Sequence, residues 1–412
     1  MSAFTFLHAA DLHLGSPLAG LAGRDQDLAE RFVAAGREAF SNLVGHAIAE
    51  RVAFVVCAGD VFDREWADLS IGLFFARELA RLERAGIPFL WIRGNHDAES
   101  LVRKAVTLPP GTLDFPSARA GTHRLAEWQV AVHGRSFPDR TVPPDFVRSY
   151  PEPVPGWFNL GLLHTSCEGH AEHETYAPCT AAELAAFGYD YWALGHVHDY
   201  AELRRDPPVV YPGNLQGRSV RECGPRGAVA VDVRDGRVEA VRRLVFDRAR
   251  FAHLDLAAGE HESEAALVEA VGRALVPHVE EAEDRPVAFR VTLRGETALH
   301  DALLGDSDGL RAEIQAAAHR LHEDAWLERL RVKTRRPARP AMPDGEASLL
   351  DPASLLAALD GDPDLREAAR AIVAEIGAKL PGGTAAGEFD DLDALLAEAE
   401  ATVMARLSGR GC

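Results

Sequence analysis

YWALGHVHDY, residues 191–200, is the stretch on which the reading of this chain turns. An apolar run ends at Gly195, and two histidines follow two residues apart, His196 and His198. Side chains along a strand alternate faces, so residues two apart share one side. Two imidazoles on one side of a buried strand's end are what a metal site requires. The spacing by itself is met equally well by packing, so the question is whether other strands bring ligands to the same place.

Four do. FTFLHAAD (4–11), VAFVVCAGD (52–60), IPFLWIRGN (87–95) and FNLGLLHTS (158–166) each read as apolar strands. The first ends in Asp11 and His13, the second in Asp60, the third in Asn95, His96 and Asp97, and the fourth reaches His164. Helical stretches at 3.6-residue periodicity alternate with them at 27–50, 69–86 and 180–189. WQVAVHGRSF (128–137) adds a strand, and 201–205, 207–214 and a hairpin around RDG (227–246) follow. Strands alternating with helices and then hairpins predict layered sheets flanked by helices, an α/β architecture. In such folds ligands collect at the carboxyl ends of strands. Imidazole and carboxylate without thiolate suit manganese, iron or zinc at a reactive site. Seven ligands exceed what one ion with an open position takes. Two ions roughly 3.5–4 Å apart, sharing a carboxylate, fit better and would activate a water for in-line displacement at phosphorus.

DLHLGS, GDVFD, GNHD, LLHTS and GHVHD, in that order, resemble the calcineurin-like metallophosphoesterase superfamily. DLHLG with GDVFD, supported by YPGNLQGR and YAPC, is similar to its DNA-repair nuclease branch, the D subunit of SbcCD and its YhaO-type bacterial relatives. The resemblance covers about residues 8–218 and implies a layered αββα core. It implies that Asp11, His13 and His198 hold one metal, that Asn95, His164 and His196 hold the other, and that Asp60 bridges them. It implies that His96 faces the phosphate as a general acid, oriented by Asp97. Archaeal and eukaryotic relatives often carry histidine after GDxF. Asp63 stands there in this chain, as in the bacterial branch. Asn214 and Arg218 in NLQGRSVRECGPRG are expected to meet the DNA backbone, since arginine suits phosphate forks. His8 reads as structural or supporting, and His170 and His173 as rim residues.

Beyond the nuclease-like domain at 1–250, a small α+β capping domain is expected over 251–335, with strands at 251–257, 286–295 and 326–334 and helices at 262–279 and 307–322. RRPARPAMPDG supports a linker over 336–347. A helical region at 348–412, with helices at 353–360, 363–380 and 391–407, has one apolar and one acidic face and reads as a docking element. The resemblance implies that an SbcC-like coiled-coil ATPase docks there, and it leaves homodimerisation open.

Net charge is −19. Residues 1–250 hold 27 Lys and Arg against 32 Asp and Glu, and residues 251–412 hold 17 against 31, so the acid lies mainly C-terminal. Residues 201–250 are locally basic, with 11 Arg against 7 acids. An acidic chain gives little counterion release on DNA, which assigns much of the duplex grip to a partner. Five scattered cysteines without CxxC suggest neither a disulfide framework nor a zinc ribbon, and place the chain in a reducing cytoplasm. No apolar run is long enough to span a bilayer. The expected activity is metal-dependent DNA exonuclease, with two divalent ions, manganese foremost and iron or zinc as alternatives. A phosphatase or cyclic-nucleotide phosphodiesterase on the same centre, and a DNA-tethering scaffold subunit, are the competing readings.

Overall fold

Helix α2 (Leu69–Arg84) shows how pattern becomes architecture. Its buried Ile71, Phe75, Leu79 and Leu82 recur at helical spacing and form one apolar stripe. Each such side chain taken out of water contributes about 2 kcal/mol. The stripe packs, with Phe40, Leu43 and Val44 of α1 (Gln26–Ala49), onto one face of a six-stranded sheet. The computed structural model describes residues 3–16, 26–63, 69–99, 106–139, 142, 146–168, 177–337 and 362–379, with isolated positions 392, 395, 396, 399 and 403.

The first sheet takes β1 (Phe4–Ala9), β2 (Phe54–Cys57), β3 (Phe89–Trp91), β4 (Thr112–Asp114), β11 (Gly227–Arg234) and β12 (Arg237–Val245), in the order β12-β11-β1-β2-β3-β4. Strands β1 to β4 run parallel, and β11 is antiparallel to β1. The second sheet takes β5 (Gly121–Leu125), β6 (Val130–Gly134), β7 (Phe158–His164), β8 (Tyr191–Gly195), β9 (Ala201–Arg205) and β10 (Pro208–Tyr211), in the order β5-β6-β7-β8-β10-β9. Strands β6, β7, β8 and β10 are parallel.

Strands covered on both faces read as continuous apolar runs, and FVVC of β2 is buried throughout. Phe6, Phe54, Val56 and Leu90 of the first sheet meet Val130, Leu160, Leu162 and Tyr191 of the second in a shared core. The outer face of the second sheet is covered by Phe137, Phe146, Tyr150 and α4 (Ala181–Ala185), whose N-terminus Thr180 and Glu183 close with a capping box. The result is the α/β, αββα layering expected from the sequence. The parallel strands β1, β2, β3, β7 and β8 all direct their carboxyl ends to one edge. Two strands went unanticipated: β4 and β5 are short and only partly buried, so they carry no apolar run.

The chain divides into compact units at Met1–Phe251 and Ala252–Cys412. The second contains a three-stranded sheet, β13 (Arg250–Ala257), β14 (Val287–Glu296) and β15 (Ala325–Arg335), with β14 and β15 parallel. Helices α5 (Glu264–Ala282) and α7 (Ser307–Leu321), with the short α6 (His300–Gly305), supply its core through Leu267, Val271, Leu275, Leu303, Leu310 and Ile314. Helix α8 (Pro363–Lys379) occupies part of the expected C-terminal region. Most of the expected linker, and the expected helices at 353–360 and 391–407, lie outside the described residues apart from isolated positions.

Candidate metal centre

Five strands deliver the seven expected ligands. Asp11 and His13 follow β1, Asp60 follows β2, and Asn95 follows β3 as the first residue of a short helix α3 (Asn95–Glu99). His164 is the last residue of β7, while His196 and His198 lie just past β8. All are buried except His198, which is half-buried. Four sit in left-handed backbone: Asp11 at φ 51°, His13 at 42°, Asp60 at 54° and His196 at 98°. Strained conformations of this kind persist only where the surroundings impose them, and they cluster at functional sites. Here Asp11 N–H donates to the Gly59 carbonyl and His13 N–H to the Asp60 carbonyl, both at 3.0 Å, which stitches the two strand ends together. Two glycines clear the space. A Cβ at Gly195 would lie 2.1 Å from the Ala58 oxygen, and one at Gly94 would lie 2.2 Å from Asp60 Oδ1.

The imidazoles are pre-set by their outer nitrogens. His164 Nδ1 lies 2.9 Å from the Ala58 carbonyl, an acceptor only, so Nδ1 carries a proton. Its Nε2 then faces Asn95 Oδ1 at 3.0 Å and Asp60 Oδ2 at 3.4 Å. His198 Nδ1 lies 2.7 Å from the Glu222 carboxylate, and its Nε2 meets His13 Nε2 at 3.2 Å. Ring nitrogens held this way from behind turn their lone pairs inward, the usual preparation of metal-ligating histidines. His13 Nδ1 is buried without a hydrogen-bond partner among the described residues. Ligand atoms gather into three overlapping groups: Asp11, His13 and His198; Asp11, Asp60 and His164; and His13, Asp60 and His96. The rings of GHVHD part company, since His198 faces His13 while the His196 ring lies against His164 at 5.2 Å between centroids. Nitrogen and oxygen donors without sulfur, facing one another across one edge, fit divalent cations.

Charge sharpens the picture. Burial would raise Asp60, but His164, His96 and His13 overcome it and hold Asp60 well below the usual carboxylate range. Burial would lower His164, yet the Asp60 and Asp11 carboxylates and the Ala58 carbonyl carry it up to about 9. Burial pushes Asp11 up to about 6, with His198 and His164 opposing. Burial, then Arg218, pushes His13 well below its ordinary value.

Around His96 the geometry corrects one expectation. His96 Nδ1 lies 3.0 Å from Asp63 Oδ1, so Asp63 is the carboxylate on the ring. Asp97 instead accepts from the backbone N–H groups of Val61, Phe62 and Gly94, and so ties the β2 and β3 ends together. Burial and the Asp60 charge push Asp97 up to about 7, against those three donors. The family resemblance implies an orienting role for Asp97, but neighbours on a helix point in different directions. Asn214 is a second correction. It is fully buried, with Nδ2 donating to Glu222 Oε2 and the Gln216 carbonyl and Oδ1 accepting from Arg226, so it supports Glu222 and offers nothing to a substrate. Arg218 does reach the site. Its guanidinium lies 3.2 Å from Glu222 Oε1 and 3.8 Å from Asp63 Oδ2, joining the carboxylates behind His198 and His96. His8 is fully buried between Tyr191 OH and the Leu194 carbonyl, and burial pushes it down to about 3, a neutral clamp between the sheets. His170 and His173 lie outside the described residues.

Residues 4–200 match the calcineurin-like phosphoesterase family, and the first unit therefore carries a calcineurin-like phosphoesterase domain. Residues 251–335 match the middle domain of metallophosphoesterase YhaO. The chain is 32% identical over 236 residues to the metallophosphoesterase YhaO of Bacillus subtilis (strain 168), covering 56% of this chain and 58% of that one. It is 38% identical over 265 residues to the DNA double-strand break repair protein Mre11 of Sulfurisphaera tokodaii, covering 60% and 64%. The Mre11 of Methanopyrus kandleri is 26% identical over 293 residues, covering 64% and 59%. The chain thus spans about three-fifths of the length of the curated relatives it matches. No helix among the described residues is long and apolar enough to cross a membrane.

Proposed function

We propose that the chain is a metal-dependent DNA nuclease, an exonuclease of cytoplasmic DNA repair that works with a coiled-coil ATPase docked on the 348–412 region. One observation carries the reading: the Nε2 atoms of His13 and His164 face Asp60 and that of His198 faces His13, with His164 and His198 backed by the Ala58 carbonyl and Glu222. Asp11, His13 and His198 would hold one ion, Asn95, His164 and His196 the other, and Asp60 both. Bound divalent cations, manganese in our reading, would supply an activated water and neutralise charge at phosphorus. The chain's own groups do the rest. Asp63 holds His96 Nδ1, and the oriented ring would give a proton to the departing oxygen of the scissile phosphodiester. The Mre11 relatives favour DNA as the substrate.

The test is a nuclease assay with manganese on defined DNA ends, with and without a co-purified partner, comparing wild type and His96→Ala. A large loss of cleavage in His96→Ala with metal content retained is expected. Undiminished cleavage would overturn the mechanism. Hydrolysis of small phosphodiesters with no action on DNA ends would favour the phosphatase or cyclic-nucleotide phosphodiesterase reading.

A further inference from the structure

We propose that the face of the β13-β14-β15 sheet opposite its helices binds the phosphate backbone of the nucleic-acid substrate, without regard to sequence. The inference rests on the nuclease reading above. Strand alternation defines the face. Phe289, Val291 and Leu293 of β14 and Leu327, Leu330 and Val332 of β15 face the helices, in or against the hydrophobic core. The register pairs Arg290 with Arg329, Thr292 with Arg331, Arg294 with Lys333 and Glu296 with Arg335, so these side chains share the opposite face.

The charge segregation is strong. Residues 252–337 contain 11 Lys and Arg and 17 Asp and Glu, an acidic balance. Six of those cations lie on this one face: Arg290, Arg294, Arg329, Arg331, Lys333 and Arg335. Three of the 17 acids lie beside these cations in ion pairs: Glu328 with Arg290, Asp255 with Arg294 and Glu296 with Arg335. Counted over residues 252–337, the face gathers six of 11 cations beside three of 17 acids, where scattered charges would leave it acidic. His253, hydrogen-bonded to Thr292 on this face, is pushed down by burial and then by Arg290, as well as by Arg331 and Arg294. The four cations of β15 recur every second residue, a step of about 6.6 Å, and form a straight basic row. Guanidinium and ammonium groups spaced along an extended row meet phosphate oxygens whatever the base, so affinity would come from phosphate contacts and counterion release.

The test is equilibrium binding of a short blunt DNA duplex by the full chain, with cleavage blocked by chelator, as a function of salt. The variant Arg294→Gln/Lys333→Gln/Arg335→Gln removes three exposed cations. It should weaken binding about tenfold or more near physiological salt and lower the slope of log K against log salt by about 2 to 3. Its manganese-dependent hydrolysis of a small phosphodiester should stay at the wild-type level. A second variant, Asp255→Asn/Glu296→Gln, removes acids from the same face and should tighten binding, a gain that misfolding cannot produce. Unchanged affinity and slope in both variants, with DNA cleavage by the wild type intact, would overturn this surface and leave the nuclease reading standing. Lost binding of polyglutamate with DNA affinity unchanged would likewise overturn it, in favour of an acidic protein partner. No DNA binding or cleavage by the wild type, with small phosphodiesters still hydrolysed, would remove the nuclease reading and this proposal together.

Discussion

Asp63 and His96 come from different strand ends, yet the carboxylate lies 3.0 Å from Nδ1 of the ring, with the His96 backbone N–H anchored on Asp60 Oδ1. The Asp60 loop therefore fixes His96 twice, once by main chain and once by side chain. Burial alone would raise Asp63, but the bond and charge of His96 bring it down to about 2, so it is ionised at any working pH. Asp63→Asn should keep the shape and lose the orienting charge. We expect kcat to fall by about 10- to 100-fold with metal affinity unchanged, read by steady-state kinetics beside calorimetric metal titration. Equal losses in both would place Asp63 in the metal centre.

Asp97→Asn should behave differently. Three backbone donors converge on its carboxylate, and an amide presents one acceptor oxygen in place of two. The expected outcome is a loss of stability of about 1–3 kcal/mol, seen as a lower urea midpoint, because a buried N–H is left without an acceptor. A full-strength midpoint with a selective loss of kcat would restore the orienting role.

Glu222 stands behind His198 at 2.7 Å and is itself held by Asn214 and Arg218. Burial opposes its ionisation, but His198 and Arg218 keep it well below the usual carboxylate range. Carboxylates in this position typically raise metal affinity about 10- to 100-fold. Glu222→Gln should weaken manganese binding by that factor, and excess metal should restore much of the rate. Failure of added metal to restore activity would show that Glu222 does more than support a ligand.

Metal uptake should release protons and strengthen with pH. Without metal, His164 titrates at about 9 because Asp60 and Asp11 outweigh its burial, and Asp11 titrates at about 6 because of burial. Both must lose their protons to serve as ligands. Between about pH 6 and 9 the His164 proton competes and by itself makes affinity rise about tenfold per pH unit; below 6 the Asp11 proton steepens the dependence. The sign for folding is the reverse. The raised His164 value stabilises the metal-free fold below its ordinary 6.5, and that stability is lost as pH rises through 9. Calorimetry in buffers of different ionisation enthalpy counts the protons. A pH-independent affinity would contradict the lone-pair geometry.

That the seven candidate ligands meet at one edge was legible because each follows an apolar strand, and a parallel α/β sheet gathers strand ends at one edge whatever the loops do. The partners of those ligands were far less legible. Glu222 sits in RSVREC, where no periodicity or motif marks it, and its role comes from a tertiary contact across 24 residues. Asp63 was visible in GDVFD, but the resemblance assigned the orienting role to Asp97, which turns to backbone donors of the β2 and β3 ends. Asn214 is expected at the DNA backbone and proves fully buried, because sequence carries no measure of burial in an irregular segment. The basic face in the second unit appears only once the β14–β15 register puts alternate residues of both strands on one side.

The left-handed main chain at Asp11, His13, Asp60 and His196 reaches beyond chemistry. Such conformations cost about 1–3 kcal/mol each, a burden for a fold of ordinary stability. Cations that bind the folded arrangement and not the unfolded chain return that energy by mass action. Cellular abundance would then follow metal supply, with starved molecules opening first and meeting proteases before they ever meet a substrate.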